Sequence, residues 1–446
     1  MTAPPPLTRS QRFLAVGLVL GVTLVAFEVT AVVTAMPTIT DELGGTSLYG
    51  LAIAAYTLAN MVALVAAGEM ADRRGPVAPY LLSIATFIAG LVVAAVAPTM
   101  VWVVAGRVLQ GAGTGGLQPI AYTMVSRAFP TEWQPKMFAI LSAGWVLPSL
   151  FAPLISGWVV TTFGWRWVFL GIIPFAVAVA ALAVQPMRKY GAIPFDRAPS
   201  RIPHAVAAAA GVGALATGLQ LANPFAAIGL TVAGAAVAWW ALARLLPPGY
   251  ATARRGLAAI VACRILATAT FLGADSFIPL AADRIHGVSP LVQGFVIIGA
   301  ALSWTLGQWT RARRPPADTA RAVRNGFLVL ALGLVLVFPV LWSGWPLWAT
   351  FLGWSVGGYG MGLLFNPTTV ATMTYATTGI EGKVSSQIAL ADALGFSLMG
   401  GIGGATIAVA DRTSMTIPTA LGINFAIALC LALLGVLASR HIARRT

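Results

Sequence analysis

Long apolar runs, separated by short stretches rich in arginine and proline, dominate this chain of 446 residues. Only 9% of its residues are charged, whereas soluble globular chains carry about 25%. A helix of about 20 apolar residues crosses a bilayer with all of its backbone hydrogen bonds satisfied internally. The pattern therefore predicts an all-α integral membrane protein. The fourteen predicted transmembrane helices are 13–37, 48–70, 77–97, 100–126, 137–162, 165–186, 205–222, 224–243, 256–281, 288–310, 325–343, 346–374, 384–410 and 418–438.

The basic residues indicate the orientation of these helices. The net charge is +14, from 27 Lys and Arg against 13 Asp and Glu. If the N-terminus is cytoplasmic, only Arg166, Arg284 and Arg412 fall outside, and most of the others fall on the cytoplasmic side, as the positive-inside rule requires. We therefore expect both termini in the cytoplasm and no nucleic-acid partner. The Ala, Gly and Arg usage favours a bacterial source, and hence the bacterial cell (inner) membrane.

Polar breaks divide the predicted helices into groups of six, two and six. The N-terminal six-helix bundle covers 1–187 and the C-terminal six-helix bundle covers 256–446. Between them, 188–255 is a linker with an inserted transmembrane hairpin, 205–222 and 224–243. The chain is therefore predicted to consist of two similar bundles and an extra helix pair.

A shift of 247 residues aligns the two bundles. It carries Glu28 onto Asp275 and Lys136 onto Lys383. It also carries Gly106, Gly111, Gly113 and Gly115 onto Gly353, Gly358, Gly360 and Gly362. Parallel repeats of six helices are typical of one large class of secondary transporters, in which substrate is handled between the halves near the bilayer midplane.

The loop after the second predicted helix reads Gly68-Glu69-Met70-Ala71-Asp72-Arg73-Arg74-Gly75. It resembles the signature Gly-x-Leu-Ala-Asp-Arg-x-Gly-Arg-Lys of the major facilitator superfamily, although Pro76-Val77 replaces the second basic pair. The resemblance implies the major facilitator fold, with two pseudo-symmetric six-helix bundles. The partial positive charge of a helix N-terminus stabilises a carboxylate, so we expect Asp72 to bind the helix that begins near Lys383. The predicted cytoplasmic gate motif is Gly68, Asp72, Arg73 and Gly75.

An arginine inside the fourth predicted helix carries a second motif. Arg107-Val-Leu-Gln110-Gly111-Ala-Gly113 resembles the Arg-x-x-Gln-Gly-x-Gly signature of the same superfamily. A guanidinium inside the bilayer normally has a partner, because an unpaired charge there is costly. Glu28 lies nine residues before Pro37 and Arg107 nine after Pro98, so both lie about 13 Å deep at 1.5 Å per residue. The spacing predicts a coupled pair, with a static ion pair that only orders the bundle as the alternative.

The segment Phe27-Glu28-Val29-Thr30…Met36-Pro37 resembles the Leu-Asp-x-Thr…Leu-Pro signature of the fourteen-helix drug:proton antiporter branch, with Glu in place of Asp. The resemblance implies a role for this acid in proton coupling and in attracting cationic substrates. Coupling requires a carboxylate that gains and loses a proton as access alternates. We therefore predict Glu28 and its repeat equivalent Asp275 as proton-coupling residues. Because Trp354 stands where the repeat would place an arginine, we expect Asp275 to be the less compensated acid.

Asp392 and Arg264 form a second candidate pair at equal depth. Each lies nine residues from a cytoplasmic helix end, marked by Lys383 and Arg255 respectively. A salt bridge between them and snorkelling of Arg264 to the cytosolic interface fit this spacing equally well. The predicted proton-coupling set is thus Glu28, Asp275, Arg107 and Asp392.

Aromatic and amide side chains on several predicted helices are candidates for a substrate cavity. Aromatic rings attract a planar cation, although most aromatics in such a chain are packing residues or interfacial anchors. The fifth helix departs from the antiporter signature, because Ala152 replaces the glycine before its second proline. The candidate cavity residues are Tyr56, Gln110, Tyr122, Trp145, Trp304, Tyr359 and Phe365.

The sequence carries no signature of an enzyme or of an ATP-driven pump. Its three histidines form no metal-ligand cluster, and it has no Gly-x(4)-Gly-Lys-Ser/Thr phosphate loop. We therefore expect no enzymatic activity, no cofactor, no metal, a proton gradient as the energy source and a monomer. The favoured function is proton-coupled export of amphipathic small molecules, cationic or neutral, by alternating access. An endogenous lipid or metabolite is the alternative cargo, and a non-transporting sensor or scaffold is the alternative of another class.

Overall fold

The structure is a computed structural model that describes residues 5–44, 48–191, 199–219, 221, 223–288, 290–312 and 318–442. Its α-helices are α1 (Arg9–Leu43), α2 (Tyr49–Arg74), α3 (Val77–Ala95), α4 (Met100–Ala128), α5 (Gln134–Ala143), α6 (Val146–Phe163), α7 (Arg166–Leu170), α8 (Ile173–Met187), α9 (Ile202–Gly218), α10 (Pro224–Leu245), α11 (Leu257–His286), α12 (Pro290–Ala312), α13 (Thr319–Val337), α14 (Leu347–Met373), α15 (Glu381–Arg412) and α16 (Ile417–Ala438). The predicted all-α class is confirmed.

Each predicted transmembrane segment coincides with one of these helices or with two consecutive ones. Residues 220, 222 and 289, at the edges of the predicted segments 205–222 and 288–310, lie outside the described residues. Within the part of the chain that is described, ten helical stretches are long and apolar enough to cross a membrane. The chain is thus a multi-pass membrane protein, and the count of fourteen transmembrane helices stays a prediction.

Two predicted segments are each divided into two helices. Segment 137–162 breaks between α5 and α6 at Gly144, where the backbone N–H of Gly144 still bonds back to Ile140. Pro148, four residues further on, has no N–H to donate to the carbonyl of Gly144, so the ladder of hydrogen bonds is interrupted there. Segment 165–186 similarly breaks at Gly171, just before Pro174. The predicted segments 137–162 and 165–186 each contain a helix break for this reason, and each still corresponds to one stretch, Gln134–Phe163 and Arg166–Met187, that is long and apolar enough to cross a membrane.

Local sequence signals explain where α1 begins and where α2 ends. α1 begins with a capping box, in which Thr8 Oγ1 accepts a hydrogen bond from the N–H of Gln11 and the Gln11 side chain accepts one from the N–H of Thr8. α2 ends at Gly75, whose φ of 78° is a conformation that favours glycine. The last glycine of the predicted gate motif is therefore required by the turn between α2 and α3.

Contacts divide the chain into two compact units. Unit 1 consists of residues 1–213 and 376–389, so it includes the first turns of α15; unit 2 consists of residues 214–375 and 390–446. In unit 1, α4 packs on α2 and α3, and α1 packs on α6 and α8. In unit 2, α14 packs on α12 and α13, and α11 packs on α16. The sequence-based boundaries at 187 and 255 follow polar breaks and stay a prediction.

The glycines of the internal repeat have the same role in each unit. Gly111 on α4 lies against the backbone of Tyr56 on α2, and Gly358 on α14 lies against the backbone of Ala300 on α12. Small residues at such contacts let two membrane helices approach closely. The shift of 247 residues therefore aligns equivalent helix–helix contacts.

We expect Gly111→Ala to destabilise the protein, because the added Cβ would overlap the carbonyl of Tyr56. Overpacking of this kind costs about 1–3 kcal/mol. Gly157→Ala on α6 is the matched control, since its Cβ would meet nothing within 4 Å. Thermal unfolding in detergent, followed by tryptophan fluorescence, measures both. Equal melting temperatures for the two variants would contradict the assigned contact.

Candidate functional site

Glu28 on α1 and Arg107 on α4 form a buried ion pair. Arg107 Nη1 donates to Glu28 Oε1 and, over 2.7 Å, to Oε1 of Gln110, one turn further along α4. The side chains of Arg107 and Glu28 are 3% and 0% exposed. The predicted contact between the two side chains is confirmed, and it places a desolvated charge pair between α1 and α4.

Tyr56 on α2 contacts this pair, and Asn60 on the same helix is linked to Tyr56 through Thr114. The guanidinium of Arg107 lies over the ring of Tyr56, 4.2 Å from its centroid, and a ring in this position stabilises a cation. The hydroxyl of Tyr56 accepts a 2.8 Å hydrogen bond from Thr114 Oγ1, which also accepts one from Asn60 Nδ2 at 3.2 Å. Tyr56 and Gln110, predicted as cavity residues, are thus placed as partners of Arg107.

Hydrogen bonding around the ion pair is incomplete. Glu28 Oε2, Arg107 Nε and Gln110 Nε2 are buried and have no hydrogen-bond partner among the described residues. An unsatisfied buried polar group costs about 1–3 kcal/mol, so a purely structural pair would be expected to satisfy these atoms. Because Oε1 of Glu28 holds Arg107, Oε2 is the atom at which a proton can add without displacing that bond.

Asp275 on α11 has a different partner at the equivalent place in unit 2. Trp354 Nε1 on α14 donates a 2.7 Å hydrogen bond to Asp275 Oδ1. The two partners are 79 residues apart in sequence, as are Glu28 and Arg107. The repeat therefore keeps the acid and its donor but replaces the cationic guanidinium by a neutral indole.

Arg264 and Asp392 form the second buried pair, also within unit 2. Arg264 Nε and Nη2 bind the two oxygens of Asp392, the latter over 3.0 Å, in a bidentate arrangement. Arg264 Nη1 donates to the carbonyl of Phe365 at 2.9 Å and to the hydroxyls of Thr368 and Thr369 at 3.0 Å each. The side chain of Arg264 is 0% exposed, so it does not snorkel, and the predicted salt bridge is confirmed.

A row of aromatic rings runs between these two sites of unit 2. Phe271 stacks on Trp354 with ring centroids 5.0 Å apart and meets the edge of Trp304, also at 5.0 Å. Trp304 contacts Phe365 at 5.1 Å, and Trp304 Nε1 is buried with no hydrogen-bond partner in the described part of the chain. The rings of Phe271 and Trp304 thus connect Trp354, whose indole donates to Asp275, with Phe365, whose carbonyl accepts a hydrogen bond from Arg264.

The remaining predicted cavity residues lie in different surroundings. Tyr122 is buried and meets the edge of Phe138 at 5.5 Å. Tyr359 is half-buried, with its hydroxyl 3.3 Å from that of Thr310. Trp145, at the break between α5 and α6, is 47% exposed. Of these three rings, Trp145 presents the most surface outside the protein interior.

Asp72 at the end of α2 binds the first turn of α15, and both segments belong to unit 1. Its carboxylate oxygens accept hydrogen bonds from the backbone N–H groups of Gly382 at 2.6 Å and Lys383 at 2.8 Å. A Cβ on Gly68 would overlap the carbonyl of Gly382, so the motif glycine is needed for this approach. The predicted contact between the gate motif and this helix N-terminus is confirmed.

The sequence interpretation missed two charged residues beside Asp72. Arg127, at the end of α4, pairs with Glu381 over 2.8 Å and lies 3.8 Å from Asp72. Glu381 also accepts a 2.8 Å hydrogen bond from the N–H of Gly379. An acid in the first turn of α15 is a recognisable signal, because carboxylates are favoured at helix N-termini. Its pairing with a residue 254 positions away has no signal in the sequence.

Residues 18–403 match the family model described as the Major Facilitator Superfamily. The chain belongs to this superfamily. The protein named "Probable multidrug-efflux transporter" from Mycobacterium tuberculosis is 27% identical, over 97% of this chain and 95% of its own length. Multidrug resistance protein 3 of Bacillus subtilis is 24% identical, over 87% of this chain and 78% of its own.

Solved structures of other facilitators share the fold. The human organic anion transporter MFSD10 is 16% identical with a TM-score of 0.74, covering 97% of this chain and 100% of its own. The proton:xylose symporter XylE is 13% identical with a TM-score of 0.67, covering 96% and 94%. As a member of the Major Facilitator Superfamily, this protein is a transporter rather than an enzyme.

We expect Arg264→Met to destabilise unit 2 by about 3 kcal/mol, because it leaves Asp392 as an uncompensated buried charge. Adding Asp392→Asn removes that charge and should recover part of the loss. The unfolding midpoints of the single and double variants in detergent and denaturant measure this difference. If the double variant were the less stable of the two, the pair would not be the source of the effect.

Proposed function

We propose that this facilitator exports amphipathic small molecules, cationic or neutral, in exchange for protons by alternating access. The observation that carries this proposal is Glu28, whose carboxylate is fully buried with one oxygen on Arg107 and the other unpaired. The names of the two bacterial relatives, "Probable multidrug-efflux transporter" and "Multidrug resistance protein 3", favour this class of cargo. We place the protein as a monomer in the bacterial inner membrane, with fourteen transmembrane helices and both termini cytoplasmic.

Protonation of Glu28 would change the charge of the site without breaking the contacts of Arg107. A proton on Oε2 neutralises the carboxylate, and Arg107 then keeps the side-chain oxygen Oε1 of Gln110 and the ring of Tyr56 as partners. Because the site is removed from water, this change of one charge alters the interaction between α1 and α4 more than it would at the surface. A cationic substrate and a proton would therefore compete for the same carboxylate.

Asp275 is the second proposed coupling acid. Its hydrogen bond comes from the neutral indole of Trp354, so no cation in that contact compensates its charge. The rings of Phe271 and Trp304 continue from this indole and offer faces that attract an organic cation. Both carboxylate oxygens of Asp392 accept hydrogen bonds from Arg264, so Asp392 is the acid that the geometry favours least for proton exchange.

Asp72 is proposed to hold the cytoplasmic side closed. Its two hydrogen bonds to the start of α15 use backbone donors at a helix N-terminus, where the partial positive charge favours a carboxylate. In the proposed cycle, the first turns of α15 separate from the rest of unit 1 when the cytoplasmic side opens.

We expect Glu28→Gln to lower substrate-driven proton flux at least ~10-fold, because a neutral amide cannot exchange a proton at this site. Proteoliposomes that contain a pH dye, an imposed proton gradient and a panel of lipophilic cations measure the flux. Glu42→Gln is the matched control, since Glu42 is on the same helix but pairs with Arg166 at an exposed position. It should transport normally.

Wild-type flux in Glu28→Gln would contradict the assignment of the coupling acid. No proton flux with any cation, in protein that is folded and reconstituted, would contradict cationic cargo. The same assay would then be repeated with envelope lipids, the alternative cargo.

A further inference from the structure

Glu69, which directly follows Gly68 of the gate motif, joins α2 to the segment that leads into α9. Its Oε2 accepts hydrogen bonds from the backbone N–H of Arg201 at 2.8 Å and from Ser200 Oγ at 3.2 Å. Its Oε1 lies 2.8 Å from Nη2 of Arg73, one turn further along α2. The side chain of Glu69 is only 11% exposed. With donors on both oxygens, this carboxylate fixes the position of residues 200–201.

Arg201 continues the contact from the same point to α15. Its Nη2 donates to Ser386 Oγ over 3.4 Å, and Ser386 Oγ donates to the carbonyl of Lys383 at 2.8 Å. The N–H of Lys383 is in turn one of the two donors to Asp72. Hydrogen bonds thus form a closed path within unit 1, from Asp72 through the first turn of α15 to Arg201 and back to α2.

The helix that follows Arg201 is the first of the extra pair. α9 begins at Ile202, with the N–H of Ala205 bonded to the carbonyl of Arg201. Further along α9, a Cβ on Gly213 would lie 3.0 Å from the side chain of Leu58 on α2. The leading end of the hairpin is therefore attached beside the gate motif as well as joined to it through the chain.

We propose that Glu69 and Arg201 are positioning residues of the cytoplasmic gate, which tether the leading end of the α9–α10 hairpin to the contact between Asp72 and α15. The proposal rests on the proposed function in one respect, namely that the Asp72 contact is the gate. Release of α15 then requires loss of the Arg201–Ser386 bond as well as the two bonds to Asp72. The start of α9 is in this way part of the gate and not only a linker between bundles.

A cysteine in place of Ser385 reports on this contact. Ser385 is fully buried, and its Oγ accepts a 3.1 Å hydrogen bond from Thr123. The native thiols, Cys263 and Cys430, are first replaced by alanine. The rate at which Ser385→Cys reacts with a membrane-impermeant maleimide, in vesicles whose cytoplasmic face is outward, then measures opening of the gate.

We expect Glu69→Ala and Arg201→Ala to raise the labelling rate at least ~3-fold, and Asp72→Asn to raise it as well. Arg188→Ala is the matched control, because Arg188 is an exposed arginine at the start of the same linker. Its rate should equal that of the parent. Glu69→Gln, which keeps an oxygen for the N–H of Arg201, should fall between Glu69→Ala and the parent. Melting temperatures measured in parallel separate opening from unfolding.

The outcomes distinguish between the tether, which is the contact of Glu69 with Arg201, and the gate, which is the contact of Asp72 with α15. If Asp72→Asn raises the rate but Glu69→Ala and Arg201→Ala do not, the tether is refuted and the gate stands. If none of the three variants raises the rate, the gate itself is refuted. A rise in Arg188→Ala equal to that in Arg201→Ala would also overturn the proposal, because any loss of charge in the linker would then be sufficient.

Discussion

A carboxylate and a guanidinium held together at bilayer depth are the interaction on which the rest of this structure depends. Neither charge is stable there alone, so α1 and α4 must place Glu28 and Arg107 in contact. The glycines of α4 allow α2 to approach closely enough for the ring of Tyr56 to cover the guanidinium. The close helix packing of unit 1 and its polar site are therefore consequences of one constraint.

The two units share equivalent helix contacts but hold their repeat-related acids with different partners. Unit 1 pairs its acid with Arg107, whereas unit 2 gives Asp275 the neutral indole of Trp354. Unit 2 carries its arginine elsewhere, in the fully bonded pair of Arg264 and Asp392. Within the described residues, incomplete hydrogen bonding thus distinguishes the Glu28 site, for which proton exchange is proposed, from the Arg264–Asp392 pair, in which both carboxylate oxygens are bonded.

Contacts that depend on depth in the membrane or on helix termini were predictable from the sequence. The Glu28–Arg107 pair follows from equal distances to helix ends, and the Asp72 contact follows from the charge of a helix N-terminus. For Arg264, equal depth with Asp392 left a salt bridge and snorkelling equally open. The helix breaks at Gly144 and Gly171 were missed, because the flanking apolar pattern continues through them. The tether from Glu69 to Arg201 was missed for another reason: backbone donors that meet a side chain 132 positions away leave no periodic pattern.

If cargo and proton use the same carboxylate, Glu28, substrate binding must release a proton, and this release can be measured. Purified protein in weakly buffered detergent solution is mixed with a lipophilic cation, and a pH indicator records the protons released. We expect the wild-type protein and Asp392→Asn to release protons, and Glu28→Gln to lose most of this proton release. Equal release from Glu28→Gln and the wild type, with equal substrate binding, would contradict it.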